Sequence, residues 1–180
     1  MLLSIVVPVY NEEENIANFY KAVTDVMSGL TYDYELIFVD DGSSDSSAMI
    51  LREIAFNDKH VKVLLLARNF GHQTALTCGL DYAHGDAVIT MDGDMQHPPA
   101  LIPELVRLWE SGYDVVRTIR DSTDDASWAK SFTSKYYYKL MNKMADVPIV
   151  EGGSDFRLMN SKALGTLKRF REHGRFLRGI

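Results

Sequence analysis

The chain is predicted to be an α/β protein, with a mostly parallel sheet carrying helices on both faces. Three observations predict it. Short β-branched apolar runs alternate with helical patterns through the first 120 residues. Such alternation over short loops argues a parallel sheet with crossover helices. The segments that follow the strand-like runs are polar, and two of them end in paired carboxylates, Asp40-Asp41 and Asp92-Gly93-Asp94. Ligands of open α/β sheets bind outside the carboxyl ends of the strands.

The elements are read in order. Strand-like runs cover Ser4–Val9, Glu35–Val39, Val61–Ala67, Ala87–Met91 and Asp114–Thr118. Helical patterns lie between them at Asn15–Leu30, Ser46–Asn57, Thr74–Ala83 and Pro99–Ser111. Right-handed crossovers put every strand's C-terminal loop on one edge. That edge would carry Val9-Tyr10-Asn11-Glu12, Asp40-Asp41-Gly42-Ser43, Arg68-Asn69-Phe70-Gly71 and Asp92-Gly93-Asp94. After Arg120 the pattern changes. Asp121–Ala126 reads as a polar linker or lid, and Trp128–Ala145 as a basic, aromatic amphipathic helix. Such a helix suits an anionic membrane surface or the sheet's own face. Glu151–Ser154 reads as a turn, Asp155–Met159 as a short strand and Ser161–Glu172 as a last helix. The end at Arg178-Gly179-Ile180 carries no stop signal and reads as cut.

Composition narrows the class. With 180 residues, 46% apolar and 24% charged, the chain is one ordinary globular domain. No apolar run approaches the roughly 18–20 residues of a membrane span. The single cysteine, Cys78, excludes an internal disulfide and reads as a small core residue. The net charge of −6 conceals an asymmetry. Residues 1–127 hold 8 Lys+Arg against 21 Asp+Glu, and residues 128–180 hold 11 against 4. The acidic part suits a metal-dependent site rather than nucleic acid. The basic part suits an anionic acceptor or a membrane surface.

Asp92-Gly93-Asp94-Met95 is the strongest chemical signal. Two carboxylates one residue apart can share a hard divalent cation, Mg²⁺ or Mn²⁺, which completes its shell with water and phosphate oxygens. Asp-Gly is also a common turn dipeptide, so the pair alone leaves a plain strand-end turn open. Asp40-Asp41 can hydrogen-bond a ribose or a base, and Ser43 or Ser44 can cap the following helix. Tyr10 can stack on a base, with Glu12 beside it as a further acceptor.

These residues together resemble the inverting family-2 glycosyltransferases of the GT-A fold, a Rossmann-like architecture. The resemblance rests on Val7-Pro8-Val9-Tyr10-Asn11-Glu12, Val39-Asp40-Asp41-Gly42-Ser43, Arg68-Asn69-Phe70-Gly71 and Asp92–Pro99. The Gln96-His97-Pro98-Pro99 tail is similar to the polyprenyl-phosphate branch, which contains dolichol-phosphate mannosyltransferases and bactoprenol glucosyltransferases. Ser154–Met159 and Arg175–Gly179 look like that branch too. The resemblance implies that Pro8, Tyr10, Glu12, Asp40, Asp41 and Asp92 hold the nucleotide. It implies that Asp92, Asp94 and Gln96 organise the metal and diphosphate. Arg120, Ser134 and, from charge, Lys135 would lie near the acceptor phosphate. Arg175 and Arg178 would close over the phosphates, and Asp155 would stand at the reaction centre.

The implied organisation is a nucleotide-sugar and metal half at 1–120 and an acceptor half at 121–180 of one catalytic domain. The implied reaction moves a sugar from a nucleoside-diphosphate sugar to a polyprenyl phosphate at the cytoplasmic face of the cell membrane. UDP-glucose is the first expectation for the donor and GDP-mannose the second. The implied partners are thus a nucleotide sugar, an isoprenoid lipid phosphate and a membrane surface, without nucleic acid, and with a homo-oligomer compatible. Relatives of that branch continue into interfacial or transmembrane helices. Rival readings are a processive glycan synthase, a phosphoacceptor signalling domain and a non-catalytic nucleotide-sugar-binding module. The synthase expects Gln-x-x-Arg-Trp where this chain has Arg175-Phe176-Leu177-Arg178-Gly179. The signalling domain has no use for Asp92-Gly93-Asp94.

Overall fold

The computed structural model describes residues 1–119 and 153–169. Six strands form one sheet: β1 (Leu2–Val9), β2 (Asp33–Asp40), β3 (Val61–Leu65), β4 (Ala87–Thr90), β5 (Val115–Ile119) and β6 (Gly153–Asn160). Five helices accompany them among the described residues: α1 (Ile16–Ser28), α2 (Ser47–Asn57), α3 (His72–Tyr82), α4 (Ile102–Glu110) and α5 (Ser161–Arg169). A single 3₁₀ turn, Pro99–Leu101, leads into α4.

The sheet order is β3-β2-β1-β4-β6-β5. Strands β1 to β4 pair in parallel. The sheet is mostly parallel, as expected, and one strand runs against the rest. The stretch expected as a short strand at Asp155–Met159 is the eight-residue β6, and it runs antiparallel between β4 and β5. It therefore delivers its first residues, not its last, to the edge where β1, β2 and β4 end. Asp155 reaches the site by that reversal.

Both faces of the parallel strands are buried, so their sequences read as continuous apolar runs without polar alternation. Leu3, Ile5, Val7 and Val9 of β1 pack in one core with Phe19 and Val23 of α1, Leu51 of α2 and Leu105 of α4. The Phe19 and Phe38 rings meet edge to face at 6.0 Å. Val6, Ile37, Val39 and Val88 pack on the other face with Leu76 and Leu80 of α3 and Leu164 and Leu167 of α5. Partly buried Cys78 packs against this second core, as its sequence context suggested.

The helix α3 lies very close to the sheet. A Cβ on Gly79 would stand 2.3 Å from Val6 Cγ1 and 2.9 Å from Val39 Cγ2. Only glycine permits this approach, which fixes where the first turn of α3, and with it His72, stands over the strand ends.

Candidate active site

Four loops and the start of β6 meet at the C-terminal edge of β1, β2 and β4. The loops after β1 and β2 are joined by polar contacts. Asn11 donates its backbone N–H to Ser43 Oγ (2.9 Å) and accepts the Ser44 N–H on Oδ1 (2.8 Å). The Glu12 N–H donates to Ser47 Oγ at 2.9 Å, and Glu13 Oε2 accepts the Ser46 N–H at 2.8 Å. This corrects the expectation of a serine cap. Ser46 stands at the N-cap of α2 without a side-chain cap bond, and Ser43 and Ser47 hold the neighbouring loop instead.

The loops after β2 and β3 touch through backbone. Gly42 has φ +69°, and a Cβ there would stand 2.4 Å from the Arg68 carbonyl carbon. Asp41 is buried, and its two carboxylate oxygens accept the Phe70 and Gly71 N–H groups at 2.8 and 2.9 Å. That contact pins the Arg68–Gly71 loop and the start of α3. Asp40 is also buried, and among the described residues its carboxylate accepts only long contacts, 3.4 Å, from the Ser43 N–H. Pro8 is buried in β1 opposite Val39. Tyr10, just beyond the strand, is 46% exposed, as a ring available for stacking must be. Glu12 is half-buried and accepts the Asn15 side-chain N–H at 2.6 Å.

Asp92, Asp94 and Gln96 stand together on the loop after β4. Asp92 is held by two histidines. His72 Nε2 lies 2.7 Å from its Oδ1, and the Asp92 N–H donates to His97 Nδ1 at 3.1 Å. The buried His97 ring packs on Phe156 of β6 with centroids 5.5 Å apart. Asp94 accepts the Gln96 N–H on Oδ1 at 3.0 Å. Between them Met95 takes a left-handed conformation, φ 62°. Asn11 on the facing loop does the same, φ 54°. Left-handed non-glycine residues cluster at ligand sites, where surrounding contacts hold the strain.

Asp155 is buried at the entry of β6. Its backbone carbonyl accepts Thr90 Oγ1 at 2.5 Å, its Oδ1 pairs with buried Arg157 at 3.2 Å, and its Oδ2 lies 4.0 Å from His72 Nδ1. The structure thus gathers Tyr10, Asp40, Asp92, Asp94, Gln96 and Asp155 along one edge, with Pro8, Glu12 and Asp41 supporting the loops. Arg120, Ser134, Lys135, Arg175 and Arg178 lie outside the described residues, as do the linker Asp121–Ala126 and the helix expected at Trp128–Ala145. Sequence reasoning gave no role to His72. The signal was available: it follows the Arg68–Gly71 loop on the predicted site edge, but the helix was expected to start two residues later, at Thr74.

The donor set suits a hard cation. Asp92 and Asp94 offer carboxylate oxygens one residue apart on a half-exposed loop. Among the described residues no three acidic, histidine or cysteine side chains form a group that could hold a metal ion by themselves. Mg²⁺ or Mn²⁺ is typically bound by one or two carboxylates plus substrate phosphates, and Asp92 and Asp94 are the residues that would supply the carboxylates.

An α/β domain with an acidic loop at the end of its fourth strand and an antiparallel strand entering beside it is built like the GT-A glycosyltransferases. Solved structures share that architecture. A mannosyltransferase from Pyrobaculum calidifontis, described in complex with GDP-Man and Mn²⁺, superposes over 92% of this chain and 46% of its own, with TM-score 0.60 and 20% identity. Glucosyl-3-phosphoglycerate synthase from Mycobacterium tuberculosis, described with Mn²⁺, UDP and phosphoglyceric acid, matches 89% of this chain and 56% of its own, with TM-score 0.61 and 22% identity. The family described as Glycosyl transferase family 2 matches residues 4–167, and this chain belongs to it. Curated relatives agree. The bactoprenol glucosyl transferase of Shigella phage SfV is 41% identical over 180 residues, covering 100% of this chain and 59% of the relative. An uncharacterized glycosyltransferase of Bacillus subtilis is 44% identical over 177 residues, covering 98% of this chain and 55% of its own length. The chain spans somewhat over half the length of the curated relatives it matches. No helix among the described residues is long and apolar enough to cross a membrane.

Proposed function

We propose that this chain is the catalytic domain of an enzyme that transfers a hexose to a polyprenyl phosphate with inversion, using Mg²⁺ or Mn²⁺. Glucose from UDP-glucose is the donor of first choice. One observation carries the reading: Asp92 and buried Asp155 stand on either side of the His72 ring, in a chain 41% identical over its full length to a bactoprenol glucosyl transferase. The work of that enzyme takes place at the cytoplasmic face of a membrane, where its lipid acceptor resides.

Each residue then has a task. Tyr10 stacks on the base and Asp40 accepts from the base or ribose. Asp94, with Asp92 and Gln96, would hold a divalent cation on the diphosphate side of the site. When bound, the cation acts as a Lewis acid on the leaving diphosphate, worth several kcal/mol in the transition state. The acceptor is a phosphate monoester whose second pKa is about 6, so it arrives largely ionised and needs orientation more than deprotonation. Asp155 fits that need. Its carboxylate is already engaged by Arg157, at 3.2 Å. Asp155 organises sugar hydroxyls or incoming cations. Arg120, Ser134 and Lys135 receive the acceptor phosphate, and Arg175 and Arg178 add charge to the leaving group.

The test is transfer by the intact protein from radiolabelled UDP-glucose, and in parallel from GDP-mannose, to undecaprenyl phosphate. Label should move into the lipid phase, depend on Mn²⁺ or Mg²⁺, and favour UDP-glucose. Label that appears only in a water-soluble saccharide would sink the lipid-acceptor reading. A GDP-mannose preference would correct the donor alone.

A further inference from the structure

We infer that His72 is a positioning residue that orients the diphosphate-side carboxylate Asp92, an inference that rests on the glycosyltransferase reading. The imidazole stands between the two acids. Its Nε2 is 2.7 Å from Asp92 Oδ1 and its Nδ1 is 4.0 Å from Asp155 Oδ2. The Gln73 side chain lies on the Nδ1 side, with Nε2 at 3.3 Å. A hydrogen bond to Asp92 requires the ring proton on Nε2, since a carboxylate oxygen accepts.

The position of His72 comes from the core. It opens α3, the helix seated on Val6 and Val39 through Gly79. The preceding loop is pinned by both oxygens of Asp41. Asp92, by contrast, is half-exposed on a loop whose next turn contains left-handed Met95. The rigid helix therefore sets the direction of the less constrained carboxylate. With Oδ1 directed to His72, the Asp92 carboxylate plane is fixed before any cation and diphosphate arrive. Groups held in the productive geometry need no reorganisation when the ligand binds. The same ring reaches toward Asp155, whose other oxygen is clamped by Arg157 from beneath. One side chain of α3 thus orients the loop after β4 and stands beside the entry of β6.

His72→Ala and His72→Gln in the intact protein test this. Calorimetry measures affinity for UDP or GDP, whichever the wild type binds, in chelator and then in Mn²⁺. Partners that orient a metal-binding side chain typically contribute about 10–100-fold in metal affinity or activity. His72→Ala should lose about that factor from the Mn²⁺-dependent gain, with metal-free affinity unchanged. Its kcat should fall more than its KM rises. His72→Gln, whose amide N–H can reach the same oxygen, should recover most of the gain. A His72→Ala variant that retains the whole Mn²⁺ gain overturns the inference. A wild type with no nucleotide affinity instead removes the glycosyltransferase reading, and the ring itself then decides. A long-range ¹H–¹⁵N spectrum with the proton on Nε2 supports the tie to Asp92, and one with it on Nδ1 alone refutes it.

Discussion

The two ends of the parallel strands handle buried acid in opposite ways. At the N-terminal end, Glu35 of β2 is buried and fully engaged: Ser4 Oγ and Lys62 Nζ each donate to it at 2.5 Å, and the His84 N–H at 2.8 Å. Ser4 Oγ also accepts the Gly85 N–H at 2.8 Å, so one carboxylate joins β1, β2, β3 and the α3–β4 loop. At the C-terminal end, Asp92 and Asp155 are met by two histidines and one arginine, Asp94 accepts only a local N–H, and the loop carrying Asp92 and Asp94 is half-exposed and strained at Met95. One network closes the fold. The other gathers acids that a cation and a diphosphate would complete. Substitutions at the first should therefore act on stability, and at the second on activity.

The largest expected effect is at Asp94. Asp94→Ala removes a carboxylate that supports no core contact and accepts only a local N–H. If a cation there contributes several kcal/mol, transfer should fall by about 10³-fold or more. The melting temperature should stay within about 2 °C of wild type, as for surface changes within about 0.5 kcal/mol. Retained activity would remove the distinction between the two ends, since the acid pair would then be an ordinary turn.

Glu35 should give the mirror image. Glu35→Ala strands buried Ser4 and the His84 N–H and removes the partner of a Lys62 that is itself half-exposed. We expect a loss of about 2–4 kcal/mol in chemical denaturation, with kcat per folded molecule unchanged. The pH dependence sharpens this. Burial alone would push the Glu35 carboxyl up, but hydrogen bonds from Lys62, Ser4 and His84 outweigh it and hold the group below its ordinary value. A carboxyl depressed on folding contributes stability that is full above its unfolded pKa, about 4.3, and is lost as pH falls through the folded value. Glu35→Gln should therefore be less stable than wild type by about 1 kcal/mol near neutrality. The two should converge in acid. Parallel curves over the whole range would show that the network's charge contributes nothing.

How far these ends were legible in the sequence follows from the physics of each. The parallel strands were readable because burial on both faces leaves unbroken apolar runs, and the helices because α1 places Ile16, Phe19, Val23 and Met27 on one stripe. The antiparallel entry of β6 was not readable, because strand direction depends on the path of the preceding chain and leaves no mark in a period-two pattern. Asp92 and Asp94 were visible as a local pair at a strand end. The supporting role of Asp41 was hidden, since its partners, the Phe70 and Gly71 amides, are backbone groups about 30 residues away. His72 was overlooked for a related reason. Its meaning lies in Asp92 and Asp155, brought to it only by the sheet order.

The smallest expected effect probes the strain that distinguishes the site end. Met95 and Asn11 both hold positive φ, but for different reasons. Asn11 has a chemical reason to be there, because its Oδ1 accepts the Ser44 N–H. Asn11→Gly keeps the backbone conformation and loses that bond, so it should cost about 0.5–1.5 kcal/mol. Met95 is exposed and its side chain secures no such bond among the described contacts. The left-handed region costs an L-residue about 1–2 kcal/mol, whereas glycine occupies it freely but loses more entropy on folding. These terms nearly offset. Met95→Gly should leave stability unchanged or raise it by up to about 1 kcal/mol, while the same substitution at exposed Met49 within α2 should lower it by about 1 kcal/mol. Denaturation midpoints of the three variants separate the cases. If Met95→Gly is destabilised as much as Met49→Gly, the left-handed conformation carries no strain and the loop after β4 is an ordinary turn.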